Sequence, residues 1–210
     1  MLKIKSGLAF INRRCFFRIG GMGLALMLNA CSQTSSPIHF YMLEGIEIER
    51  SSADSFQTMS IALWPLQLPR YLNRTSIVSR TEPMVYRIDS YDRWAENPAE
   101  MLNRILPYNL QKLSGADVFL TRSSKLKRDA NLQLKIQIFE FHVNESENAI
   151  LTAAWQILTP KGDTFNKTKT YHQKIETDRM EDRVKAMNET VNQMSRDIAS
   201  HLTEQFAASK

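Results

Sequence analysis

The sequence predicts a single-domain α/β fold: a mixed β-sheet of about five to seven strands with two main helices packed on it. Three observations predict it. Short runs of β-forming residues recur from Phe40 to Ile175, two segments repeat apolar residues at three- and four-residue steps, and strand-like runs lie both before and after the first of these helical segments. Residues 40–210 are of usual single-domain length and can bury enough apolar surface to fold without a disulfide or metal.

The elements follow in order. Phe40-Tyr41-Met42-Leu43 is the opening strand, Glu44 to Gln57 an irregular polar connection, and Ser60 to Leu66 a buried strand ended by Pro65. Leu68 to Arg80 mixes turn residues with the β-rich Ser76-Ile77-Val78-Ser79, and Met84 to Tyr91 forms another strand in which Val85 and Ile88 are oddly spaced. Asn97-Pro98-Ala99-Glu100 combines an N-cap, a proline at the first helical position and a Glu three residues after the cap, so a helix starts there. Gly115 ends it, and Pro107 is expected to bend it near Asn103. Residues 117 to 121 are a strand. Leu132, Leu134, Ile136 and Ile138 then alternate on even numbers, whereas Phe139, Phe141 and Val143 continue on odd ones, the signature of a β-bulge. Asn144 to Asn148 turns the chain into a strand carrying Leu151, Ala153, Trp155 and Ile157. Pro160-Lys161-Gly162-Asp163 turns it again, into a polar edge strand from Phe165 to Ile175. From Arg179 onward Met180, Val184, Met187, Val191, Met194, Ile198, Leu202 and Phe206 mark one long amphipathic helix, expected to pack on the sheet beside the first.

Charge separates the chain into two parts. The whole holds 27 Lys plus Arg and 22 Asp plus Glu, but Lys3, Lys5, Arg13, Arg14 and Arg18 all fall within the first 30 residues, which contain no acid. The rest therefore carries 22 of each sign, and a body without net positive charge argues against nucleic-acid binding. The first 30 residues have the layout of an export signal: a cationic start, the apolar Ile19 to Leu28, and the small Ala30 before Cys31. The uncharged run is well short of the roughly 20 residues that a membrane-spanning helix needs. Leu28-Asn29-Ala30-Cys31 resembles a bacterial lipobox, in which the cysteine is acylated and the chain is cut before it; an ordinary signal peptide with a chance cysteine is the competing explanation. Residues 1–30 are thus expected to be a lipoprotein signal peptide, 31–39 the lipidated Cys31 and a short tether, and 40–210 the periplasmic body. Three acyl chains would anchor the protein essentially permanently. Ser32, in the place where Asp usually signals retention at the inner membrane, favours the outer membrane. Asn12-Arg13-Arg14 also resembles a twin-arginine export signal, ranked second to the general route.

The body offers little to catalysis. His39, His142, His172 and His201 share no metal-ligand spacing. No Gly-X-Ser-X-Gly elbow, His-Glu-X-X-His helix or Gly-rich phosphate loop occurs, so no enzyme, metal or cofactor is expected. Asp89, Asp92 and Glu96 form a small carboxylate group, with Arg87 and Arg93 nearby to pair with them. Four Asn-X-Ser/Thr triplets, at Asn73, Asn144, Asn166 and Asn188, are incidental behind a bacterial leader. Two clusters stand out, Leu68-Pro69-Arg70-Tyr71-Leu72-Asn73-Arg74 and Asp92-Arg93-Trp94-Ala95-Glu96. Each joins an aromatic with arginine, the composition of interface hot spots and equally of a buried Arg–carboxylate support.

These residues carry a family resemblance. Ile61 to Leu66, then Leu68-Pro69-X-Tyr71-Leu72-Asn73-Arg74, Ile77-Val78-Ser79-Arg80 and Arg93-Trp94-Ala95-Glu96 in this order resemble the PqiC/YmbA family of ABC-type transport auxiliary lipoproteins. The chain departs from the family at Asn73, where Asp is common, at Thr75-Ser76, where Pro-Gln is common, and at Asn97-Pro98, where Pro-Leu is. The resemblance implies a non-catalytic subunit, anchored to the outer membrane and facing the periplasm, of a transport system in which MCE-domain proteins form a lipid conduit from the inner membrane. Its partners would be the MCE-domain protein with its inner-membrane transport partners, the membrane itself, and, as a further candidate, other copies of the chain. Tyr71, Arg74, Arg80, Arg93 and Trp94 are the candidate partner-binding residues. A lipoprotein regulator of a cell-envelope assembly enzyme and, less favoured, a lipoprotein hydrolase are the alternatives.

Overall fold

The computed structural model describes residues 36–47, 59–144 and 146–209. The expected export signal, Cys31 and the first part of its tether lie outside the described residues, as does most of the expected irregular connection. Eight strands and three helices are described, in the order β1 (His39–Tyr41), β2 (Ser60–Leu63), β3 (Ser76–Glu82), β4 (Val85–Trp94), α1 (Pro98–Ser114), β5 (Asp117–Leu120), α2 (Ser124–Asp129), β6 (Leu132–Val143), β7 (Asn148–Leu158), β8 (Thr164–Lys174) and α3 (Met180–Ser209). The architecture is the expected α/β one, with one strand more than the expected range. The six-residue α2, capped by the Ser123 hydroxyl, was not legible because it has no apolar stripe.

All eight strands form one mixed sheet built around β6. One edge of β6 pairs antiparallel with β7 from Gln133 to Val143, and β7 pairs antiparallel with β8. The other edge is shared. β2 runs parallel to its start, Ile61 opposite Leu132, while β3 joins parallel at its end, Ser79 opposite Val143. Between these two pairings the backbone stays on β6: the Trp64 and Gln67 amides donate to the Leu134 and Ile136 carbonyls at 2.9 and 3.3 Å. β5 then flanks β2 in parallel, and β3 carries the antiparallel β4, with β1 parallel beyond it.

The bulge lies where the phase slip predicts it. Ile138 faces Ala153 and Glu140 faces Thr152, so Phe139 is the extra residue; it is exposed, while Ile138, Phe141 and Val143 are buried. The one-residue insertion keeps the apolar side of β6 on the core through its whole length.

Both long helices pack on this core and on each other. α1 is capped as expected: the Asn97 side chain accepts from the Ala99 amide at 3.0 Å, and Gly115 ends the helix at φ 69°, a conformation that a Cβ would oppose. Pro107 sits inside α1, which is one helix from Pro98 to Ser114, and the side chain of Asn103 accepts from the Leu66 amide at 2.9 Å. The N-terminal segment after β1 is pinned by asparagines of both helices. Asn188 accepts from the Glu44 amide at 2.9 Å, and Asn109 accepts from the Ile46 amide at 2.8 Å. Asn109, fully buried, also donates to Ser195 at 3.2 Å and Asn192 at 3.4 Å on α3. Gly45 lies between these anchors against the Tyr108 ring, with no room for a Cβ: it would stand 2.5 Å from the ring carbons.

Candidate functional site

The first predicted cluster folds as a turn beside the bulge. The Pro69 carbonyl accepts from the Leu72 and Asn73 amides at 3.0 and 3.1 Å. Leu72 is buried and Tyr71 half-buried, its hydroxyl donating to the Phe139 carbonyl at 3.1 Å. Phe139 has no partner residue on β7, so the bulge supplies the carbonyl that holds Tyr71.

Tyr71 lies beside a set of contacts that spans five strands. Its ring lies 5.1 Å from that of Tyr86 on β4, and Tyr86 stands edge-on to His142 of β6 at 5.6 Å. Arg80 of β3 places Nη1 3.7 Å from Oε1 of Glu140. The other oxygen of Glu140 accepts from the Thr152 hydroxyl at 2.6 Å, and Thr152 meets Thr170 of β8 at 3.0 Å. Burial, then Tyr86 and Glu140, push the Tyr71 phenol above its ordinary value, so it stays a donor at neutral pH. Burial pulls His142 below its ordinary value, with Glu140 opposing and Arg80 adding to the effect. His142 is fully buried, and neither its ring nitrogens nor Nε of Arg80 has a hydrogen-bond partner among the described residues. The cluster offers a partner ring faces, a guanidinium and a carboxylate.

The remaining predicted residues are placed differently. Trp94 is 3% exposed, stacked on Phe141 with ring centroids 6.2 Å apart, and its backbone amide donates to the Thr75 carbonyl at 2.6 Å. It supports the surface from the core. Arg93 folds back to the Ser90 carbonyl with Nε and Nη2 at 3.3 and 3.2 Å, and Arg74 is exposed at the end of the turn. The carboxylate group disperses into structural roles. Asp89 accepts from the Tyr91 and Asp92 amides at 2.9 Å each, Asp92 meets His39 at 3.2 Å, and Glu96 pairs with Arg104. Burial works against ionisation of Asp89, but those two amides together with Arg87 and Arg183 hold it below the usual carboxylate range.

Sequence reasoning missed three residues of note. Tyr86 and His142 join the cluster only through the pairing of β3 with β6, which is non-local. Trp64 holds Lys127 and Lys135 over its ring, at 3.4 and 4.2 Å from the centroid, beside a groove of about 450 Å³ that Gln137, Gln156 and Asn166 also line. Nothing in the local sequence marks Trp64, because α2 brings one lysine and β6 the other. Among the described residues no group of His, Cys, Asp or Glu is placed to hold a metal ion, and no helix is long and apolar enough to cross a membrane.

Fold and cluster together define a class: an open-sheet α/β domain whose distinctive residues form a polar-aromatic surface around a bulged central strand. The chain belongs to the family described as the ABC-type transport auxiliary lipoprotein component, whose model matches residues 41–199. No curated protein matches it. Among solved structures it is similar to a crystal structure described as that of an uncharacterized protein, at TM-score 0.67 and 18% identity over 80% of this chain and 99% of that one. It is also similar to a DUF330 protein from Xanthomonas campestris, at TM-score 0.63 and 12% identity with the same coverage. A looser likeness, TM-score 0.40 and 11% identity over 65% of this chain and 86% of the other, is to the PelC dodecamer from Paraburkholderia phytofirmans. At these identities the first two likenesses establish the fold.

Proposed function

We propose that the protein is a non-catalytic, outer-membrane-anchored periplasmic subunit of an MCE-type lipid transport system, tethered through an acylated Cys31 and docking its partner through the Tyr71–Tyr86–Arg80 surface. Membership of a transport auxiliary lipoprotein family supports the setting. The observation that carries the docking reading is the cluster itself: two tyrosines in ring contact and a part-exposed arginine, held by a turn and a strand pair against β6. Tyrosine and arginine are the residues that dominate binding energy at protein interfaces.

Photo-crosslinking in living cells tests it. A crosslinking amino acid at Tyr86 or Arg74, both exposed, should capture an MCE-domain protein, identified by mass spectrometry. Capture of a cell-wall synthase instead would overturn the transport reading in favour of a regulator. The mature protein should begin at Cys31 and weigh more than its amino acids by a diacylglyceryl and an acyl group; any other start removes the anchor.

A further inference from the structure

The β3–β4 hairpin extends past the end of the strand that supports it. β3 pairs with β6 only at Ser79 opposite Val143, the last residue of β6, so the hairpin tip from Thr81 to Val85 lies past the paired part of β6. Its tip is apolar and open: Met84 is 93% exposed, and Val85 and Ile88 are each about half exposed. The turn is two residues, Pro83 and Met84, between the pair Glu82 and Val85, and Met84 sits at φ 68°. That conformation suits Gly or Asn. A long apolar side chain held there at a backbone cost points to a use for the side chain.

The course of the chain says what covers it. β1 is parallel to β4, His39 opposite Asp92, so the polypeptide enters β1 from the end of the sheet at which β4 begins, the end where the hairpin tip lies. Cys31 precedes His39 by eight residues, and Met84 precedes Asp92 by the same eight. A chain spans at most about 3.3–3.6 Å per residue. An anchor at Cys31 therefore allows the leaflet to stand no farther from His39 than the hairpin itself reaches.

We propose that the tip of this hairpin, Met84 and Val85, is a second membrane contact that enters the lipid leaflet holding the anchor, with Glu82 and Arg87 remaining at the level of the headgroups. The inference rests on the acylation of Cys31 proposed above. A two-point contact would hold the body in one orientation on the membrane and turn the docking surface toward its partner.

The mature acylated protein, reconstituted in vesicles of phosphatidylethanolamine and phosphatidylglycerol, provides the test. With Cys15 removed in the leader and the Cys31 sulfur alkylated, Met84→Cys carries the single free thiol, at a position exposed enough to leave folding unchanged. An environment-sensitive NBD label there should shift to the blue and be quenched by lipids bearing nitroxides on their acyl chains. The same label at Lys161→Cys, in the turn at the opposite end of the sheet, should do neither. Water-like emission from residue 84 in the anchored protein would overturn the inference, as would a blue shift that nitroxide lipids leave unquenched, which places the tip against a second copy or another protein. Failure of the wild-type protein to float with the vesicles would instead remove the anchor, and the hairpin contact with it.

Discussion

Replacing Asn109 by alanine should be among the most damaging polar substitutions in the body. Asn109 is fully buried and ties together the segment after β1, helix α1 and helix α3. The Ile46 amide, held at 2.8 Å on a buried residue, would lose its acceptor, at a cost of about 1–3 kcal/mol. The weaker bonds to Ser195 and Asn192 would be lost at about 0.5–1.5 kcal/mol each. Both partners keep other bonds, Ser195 to the Val191 carbonyl and Asn192 to Glu189, so they are not left empty-handed. The expected loss is about 3 kcal/mol, read in urea denaturation as a lower midpoint with an unchanged slope. The melting temperature should fall by about 6–12 °C for a domain of this size. Asn109→Asp keeps an acceptor for Ile46 but, ionised, has no proton for α3 and buries a charge. It should be less stable than Asn109→Ala at neutral pH and recover as acid protonates it. An alanine variant within about 0.5 kcal/mol of wild type, the range of inert surface changes, would refute the pin.

Two further outcomes follow from the site. Trp94→Ala should cost about 3–5 kcal/mol because its ring is part of the core, whereas Tyr86→Ala, which removes ring contacts at a part-exposed position, should cost clearly less and reduce partner crosslinking; a Trp94→Ala protein as stable as wild type would contradict the burial. His142 is held below its ordinary value, so below that ordinary value, about 6.5, the unfolded chain takes up a proton that the folded one refuses. Stability should therefore fall as pH drops from 7 to 5, by at most about 1.4 kcal/mol per unit from this group, and His142→Phe should flatten that slope; an identical slope in the variant would assign the effect elsewhere.

Much of the fold was legible because its signals are local. The capped start and glycine end of α1, the stripe of α3 and the alternation of β7 all follow from neighbours within a few residues. Even the bulge could be read, because inserting one residue moves the buried positions from even to odd numbers. What escaped is non-local. The odd spacing of Val85 and Ile88 is the mark of a strand exposed on both faces, which an alternation test cannot recognise. Trp94 reads as an interface aromatic, and only the arrival of Phe141 from β6 makes it core. Tyr71 and Arg80 were found as members of suggestive motifs, but their actual neighbours, Tyr86, Glu140 and His142, lie on strands whose register the motifs do not encode.

The sharing of one edge of β6 by β2 and β3 has a consequence for biogenesis. Synthesis delivers β2 early, yet both strands that flank it, β5 and β6, come only after α1 has been made. At about 5–20 residues per second, β2 waits several seconds for its neighbours. During that interval Ile61, Ala62 and Leu63 form a sticky stretch with nothing to zip onto. A chain exported as proposed above should therefore be held by a chaperone through synthesis and transit, the β6–β7–β8 meander closing only after export and drawing the older strands in.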